Sequence, residues 1–260
     1  MSATSAALAR RGAPPAAFVK ILLNEARLAW RNPRGLAVGL GLPVLLLVVF
    51  GHLPKFNTPK AGLGGETLFH LYVPILISFV IGMVALYSLP GALASYREQG
   101  ILRRLSTTPA PRSWLLAAQI VVNLVLVVAG LLILVVVGAL AFNLGSPKDP
   151  AAFVLSAALS IAALFAIALL IAAVMPSGQA AQILGSLSFF PLIFFAGLWI
   201  PRPDMPALLQ HISNYTPLGA SVQALQDAMQ GTFPPAAPLL VLAGYAVAFA
   251  LLAWRFFRWE

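Results

Sequence analysis

WLLAAQIVVNLVLVVAGLLILVVVGALAFNL (residues 114–144) runs for 31 residues without an acidic, basic or histidine side chain. A helix of about 20 apolar residues crosses the hydrocarbon core of a bilayer. This stretch therefore predicts a membrane-spanning helix, long enough to tilt or to project from the bilayer. Composition agrees with it. The 260 residues are 60% hydrophobic and 9% charged, whereas soluble domains run nearer one quarter charged. A water-soluble core of this size does not hide so much apolar surface.

Five more apolar runs flank this one. Toward the N-terminus lie residues 69–94 and, before a Gly/Pro/Lys loop at 54–68, residues 36–53 with Pro43 inside. Toward the C-terminus, Ser146–Pro150 is a short loop and residues 151–175 form the next run. Pro176-Ser177-Gly178 makes a tight turn into residues 180–200, which Pro191 interrupts. A mixed, amphipathic stretch (201–235) leads to the last run, 236–257. The chain thus predicts an all-α polytopic membrane protein with six transmembrane helices in one domain, 1–260. No inverted repeat relates its halves.

Residues 1–35 read as a cytoplasmic tail and an interfacial helix. Residues 1–15 are Ala-, Arg- and Pro-rich and read as loose. From Ala17 to Arg31, the polar Lys20, Asn24, Arg27 and Arg31 recur at helical spacing, with Phe18, Ile21, Leu22, Leu28 and Trp30 supplying apolar surface. Such a helix is suited to lie in the interface, basic groups toward phosphate and Trp at headgroup depth, before Asn32-Pro33 breaks it. No cleavable leader is read: the first long apolar run begins near Leu36 and no small-x-small site follows it.

Orientation follows the lysines and arginines. One side of the predicted topology holds twelve of the 16 and the other only Lys55, Lys60, Lys148 and Arg202. Both termini and the 96–113 segment are therefore expected in the cytoplasm. The net charge of +9 flanks apolar segments, so it points to topology and anionic lipid rather than to nucleic acid.

Several chemistries are disfavoured. Without cysteine there is no disulfide, thiol nucleophile or thiolate metal site. None of the seven acidic residues falls in the middle of a predicted span, where a charge costs at least ~2.5–3.5 kcal/mol and is kept mainly for function. That counts against a proton- or sodium-coupled carrier. No lysine ends a phosphate-cradling Gly-x-x-x-x-Gly-Lys-Ser/Thr loop, so any ATPase is a separate polypeptide. His52, His70 and His211 are scattered and predict no zinc site. Ser186 with His211 makes a weak protease pair, since small residues in spans far more often serve helix packing. Polar Ser78, Tyr87, Gln119, Asn123 and Gln182 read as interhelical hydrogen bonds before substrate ligands.

The segment Tyr96–Arg112 is the longest charged stretch between spans. Ile101, Leu102 and Leu105 share one face of a short predicted helix, and Arg97 and Arg104, seven apart, share another. Pro109 and Pro111 end it. A rigid, half-apolar, half-charged unit is suited to dock on a soluble partner; composition alone equally fits a solvated positive-inside connector.

The residue string Glu98-x-Gly100-x-Leu102-x-x-Leu105-x-x-Thr108-Pro109 resembles the signature after the second span of ABC transporter type-2 permeases, such as the daunorubicin-resistance exporters. Phe190–Pro201, Met205-Pro206-x-x-Leu209-Gln210 and Thr216-Pro217-Leu218 resemble that family's fifth-span end and extracellular segment. Ile101 stands where the family often has Thr, and Thr216–Ala220 replaces an Asn-Pro-Leu-Thr-Tyr string, which blurs the subfamily and the substrate.

The resemblance implies a permease subunit of an ATP-driven exporter for an amphipathic drug or lipid-like molecule. Polysaccharide export is a close alternative and an ion-coupled carrier a more distant one. It implies two permeases, as homo- or heterodimer, and two cytosolic ABC ATPase subunits holding ATP and Mg²⁺; this chain itself would carry no cofactor, metal or catalytic residue. Arg97, Glu98, Gly100, Ile101, Leu102, Arg103, Arg104, Leu105, Thr108 and Pro109 would form the ATPase-coupling segment, with its helix over 97–105. Phe18, Lys20, Arg27, Trp30 and Arg31 would belong to the interfacial helix. Pro191, Gly197, Trp199, Pro201, Pro206 and Pro217 would shape partly re-entrant extracellular helices, read evenly as an outer gate or as a stabilising cap. The expected location is the cell (inner/plasma) membrane.

Overall fold

The computed structural model describes residues 15–32, 35, 37–59, 67–101, 111 and 113–257. Leu102, Arg103, Arg104, Leu105, Thr108 and Pro109 lie outside the described residues. Those described are helical, without a strand. Helix α1 (Pro15–Trp30) is followed by a π-helical turn, Ala37–Gly41, that continues into α2 (Leu42–His52) and short α3 (Pro54–Asn57). Helix α4 (Leu68–Met83) runs through a second π-helical turn, Val84–Ser88, into α5 (Leu89–Glu98). Then come α6 (Ser113–Phe142), α7 (Pro150–Val174) and α8 (Gly178–Ala196). A 3₁₀ turn at Arg202–Asp204 leads to α9 (Ala207–Tyr215), α10 (Pro217–Gln230) and α11 (Ala236–Phe256).

Five of these are long and apolar enough to cross a membrane: the continuous Leu68–Glu98, then α6, α7, α8 and α11. The sixth apolar helix, Ala37–His52, is shorter than the ~20 residues a perpendicular crossing uses. Pro54 opens a new helical turn directly after it. At its far end Phe50 stacks on Phe56, and both meet the Tyr72 ring edge-on, with centroids 4.6–5.2 Å apart.

The Leu68–Glu98 run is the centre of the bundle: 14 of the 16 residues of α4 are buried. Helices inside a bilayer gain little from hiding apolar surface from lipid and associate by close packing and interhelical hydrogen bonds. Gly185 on α8 shows the device. A Cβ there would collide with the Leu86 carbonyl oxygen of the π-helical turn, so the bare backbone lets α8 press against it. The other face of the bundle is apolar and open; on α11, Val247, Leu251 and Trp254 project outward, as a lipid-facing surface does.

Three element boundaries differ from the sequence reading. Helix α5 carries Tyr96, Arg97 and Glu98 as the last turn of the second span, not as the start of a separate helix. Gly100, with φ +66°, breaks the chain direction behind them, a conformation that glycine adopts without penalty. The helix that carries Arg97 therefore ends before Ile101; Arg104, expected on the same face as Arg97, lies outside the described residues. In the fifth span, Pro191 lies within an unbroken helix to Ala196. The turn comes at Gly197, whose φ is +99°. The span therefore ends at Ala196, earlier than residue 200.

Candidate functional site

Helix α1 builds one wall of the site. Phe18, Leu22, Glu25 and Ala29 follow one another at intervals of four, three and four, so they lie on one helix face. That face packs on the start of α6, where the Phe18 ring meets Trp114 edge-on at 5.7 Å. Lys20, Arg27 and Arg31 are on the solvent-exposed side, and Trp30 is 80% exposed. Glu25, by contrast, is only 6% exposed. Its Oε2 accepts the hydroxyl of Tyr96 at 2.6 Å and the amide of Gln119. One carboxylate thus ties α1 to the end of α5 and the start of α6.

Gln119 also donates to the Tyr96 oxygen at 3.1 Å, and one turn on Asn123 donates to the Gln119 backbone oxygen at 2.8 Å. This cluster borders an open cavity of about 400 Å³ lined by α1, the Val84–Ser88 turn, α5, α6 and the start of α8. Tyr87, Ser88 and Ser95 line it from the second span and Gln179 and Gln182 from the fifth. Five polar positions were read as interhelical bonds. Ser78 makes one with Ser221 at 2.9 Å, and Gln119 bridges α6 to α1 and α5. Asn123 bonds within its own helix, and Tyr87, Gln119, Asn123 and Gln182 face one cavity.

Beside this cavity sits the turn between α7 and α8. Arg97 donates from Nη1 to the Ala173 carbonyl at 2.8 Å and from Nη2 to that of Met175. Its neighbour Glu98 accepts the Gly178 backbone N–H at 2.9 Å. The pairing has an electrostatic basis. Carbonyls at a helix C-terminus attract a cation and free N–H groups at an N-terminus attract an anion. Two adjacent residues of opposite charge thus hold the end of one helix and the beginning of the next. Ser177 completes the cap by accepting from Ala180 at 3.2 Å. Gly178 lines the cavity as well, so the charged pair and the cavity share a wall.

Ile101 is partly buried; with it, Arg97, Glu98 and Gly100 are the coupling positions that lie within the described residues. The group around the fifth-span end is also partly assembled. Gly197, Trp199, Pro201, Pro206 and Pro217 follow α8 in the connector and at the helix starts, whereas Pro191 stays inside α8. The hub of this region is Arg202, which sequence reading counted only as a loop charge. It is 8% exposed and donates to the Gly219 oxygen at 3.1 Å, to Asn214 Oδ1 and to Gln223 Oε1 at 3.3 Å. Helix α10 is mostly buried, packed among α4, α7 and α8.

Sequence reading missed Glu25 and the internal bonds of Arg97 and Glu98. Glu25 was recoverable: it is three residues from Leu22 and seven from Phe18, on the apolar stripe. The partners of Arg97 and Glu98 lie 76 to 80 residues away and leave no local signal.

A family model described as ABC-2 type transporter matches residues 17–230. No curated relative matches the chain. The matched span starts inside α1 and ends with α10, so it encloses both the cavity and the charged pair.

Proposed function

Because the chain belongs to the ABC-2 type transporter family, and is thereby a membrane-embedded permease component of an ABC transporter, we propose that it forms the pathway of an ATP-driven exporter for an amphipathic, drug- or lipid-like substrate. The motor is a separate cytosolic ATPase subunit, which binds ATP and Mg²⁺. Two permeases, identical or paralogous, enclose the pathway. Ala37–His52 adds a sixth crossing by using the full length of its helix and a locally thinned bilayer. The end carrying α1, Glu98 and the α7–α8 turn faces the cytoplasm, as the lysine and arginine distribution favours.

One observation carries this reading: the attachment of Arg97 and Glu98 to both ends of the α7–α8 turn. The charged segment around Gly100 to Pro109 receives the ATPase. A push on that segment reaches Arg97 and Glu98 directly, because they end the second span. Their bonds pass it to the fourth and fifth spans, and hence to the cavity wall at Gly178. At the other end, α10 and the connector from Gly197 to Pro217 act as the outer gate, with Arg202 holding them in register.

The test has two stages. Gentle isolation of the chain from its native membrane is expected to bring a nucleotide-binding subunit with it. In vesicles, replacing Glu98 or Gly100 is then expected to lower transport per ATP hydrolysed. Transport by the chain alone, driven by an ion gradient and indifferent to ATP, refutes the proposal.

A further inference from the structure

A buried carboxylate is expensive unless something answers its charge. Glu25 is bonded by two neutral donors, the Tyr96 hydroxyl and the Gln119 amide, and both bonds fall on Oε2. Neither removes the charge. The described lining of the adjoining cavity holds no lysine, arginine or histidine and no second acid. Among the described residues, the cavity wall therefore carries one negative charge and no positive one.

A second group at the same place lacks a partner. Asn123 is 2% exposed and its Oδ1 has no hydrogen-bond partner among the described residues. The assignment of that atom is firm on chemical grounds. The other amide atom sits 2.8 Å from the Gln119 backbone oxygen, which only accepts, so it must be the nitrogen. The unpaired atom is an acceptor. A buried acceptor left unpaired carries a real desolvation cost, which an incoming N–H donor would relieve.

The cavity is also two-sided. A smaller one of about 50 Å³ adjoins it, sharing Asn32, Tyr87, Ser88 and Leu126 and reaching Leu40, Met83 and Val84. The shared wall includes the π-helical turn Val84–Ser88, a distortion often found at functional sites. A polar, acidic chamber thus leads to an apolar one.

We infer that this cavity binds the protonated primary amine of an amphiphile, with Glu25 as counter-ion and Asn123 Oδ1 as a second acceptor. An ammonium brings three donors and a charge, which matches one carboxylate and one carbonyl. Among the described lining residues an anion has no cation to meet. A divalent metal would ask for more oxygen ligands than converge here. The hydrocarbon part then lies toward Leu126 and Met83. The inference rests on the transport reading, since it names the chemical class of the substrate.

The probe is a dodecylamine carrying a diazirine near its tail, added to the full-length chain in phosphatidylcholine nanodiscs. Crosslinks are mapped by mass spectrometry. Labelling is expected on the peptides holding Met83 and Leu126. Dodecylamine should compete for it, and dodecanol and dodecanoate should not. Glu25→Gln keeps an acceptor for Tyr96 and Gln119 and is expected to weaken labelling about tenfold, the scale of a hydrogen bond to a charged group. Asn123→Asp adds a charge and is expected to strengthen it. Equal competition by the alcohol overturns the inference, as does labelling unchanged in both variants. If Glu25→Gln does not fold, head-group competition and Asn123→Asp decide alone. No ATPase and no transport enter the assay. Absent amine binding with intact ATP-coupled export overturns this inference only, and amine binding in a chain that works without an ATPase overturns only the transport reading.

Discussion

The Glu98 carboxylate accepts the backbone N–H of Gly178, 2.9 Å away across the bundle and 80 residues distant in sequence. The contact joins the last turn of α5 to the first turn of α8. With Arg97 on the carbonyls of Ala173 and Met175, it ties the α7–α8 turn to the C-terminal end of α5. The charged string in the sequence thus begins with two residues whose partners are internal.

Glu98→Ala is expected to cost about 0.5–1 kcal/mol of stability, the usual value of an exposed anion at a helix N-terminus. Its effect on coupling should be larger, with transport per ATP falling several-fold. Glu98→Gln keeps an acceptor and should fall between. Thermal unfolding in detergent and paired ATPase and flux measurements separate the two effects. A loss of flux no larger than the loss of folded protein would show that the contact only stabilises.

Gly185 and Gly91 test the close approach of the second and fifth spans. A Cβ on Gly185 meets the Leu86 carbonyl, a backbone atom that cannot swing aside. A Cβ on Gly91 comes 3.2 Å from the Gln182 Cβ, where a few tenths of an ångström of adjustment suffice. Gly185→Ala is therefore expected to destabilise by about 1–3 kcal/mol, as overpacking does, and Gly91→Ala by less. Equal melting temperatures for the two variants would contradict the packing.

These contacts show which parts of the molecule were legible in its sequence. The long spans were, because 20 apolar residues have few alternatives to a membrane helix. The bounds of α6, α7 and α11 fall within two residues of those read from hydropathy. The second span was read short because Tyr96, Arg97 and Glu98 look like loop chemistry; they stay helical because their polar groups find internal partners. Pro191 looked like a break, yet a proline within a bilayer helix is tolerated where neighbours compensate. Glu25 looked like one charge on a basic interfacial helix, and only packing against α6 reveals its role. In each case the missing information is a partner remote in sequence.

Arg202→Ala is expected to be among the more damaging single changes outside the spans. It strips the donor from the Gly219 oxygen, Asn214 Oδ1 and Gln223 Oε1 together. Each buried acceptor left unpaired costs about 1–3 kcal/mol, so a loss of several kcal/mol is expected. Arg202→Lys keeps the charge but not the planar fork, so intermediate stability is expected in urea or thermal unfolding. An alanine variant as stable as the parent would mean that the connector from Gly197 to Gly231 does not depend on this hub.

Asp227 gives the same region a pH dependence of predictable sign. It lies on α10, outside the spanning helices, with its Oδ2 buried and unpartnered among the described residues. Burial raises the pKa of its carboxyl, and the nearby Arg202 charge offsets this only in part. The folded protein therefore holds the proton more tightly than the unfolded chain. That contribution to stability is fully present below the unfolded carboxylate pKa, near ~4, and is lost as pH rises through the raised folded value. The melting temperature should decline across that window and then level off, as far as Asp227 governs it. Other carboxylates titrate nearby, so the informative quantity is the difference between parent and Asp227→Asn at each pH. That difference should change in the window and be flat above it. Parallel profiles through the whole window would show that Asp227 ionises as freely in the folded protein as in water, and would remove burial as the factor that sets its charge.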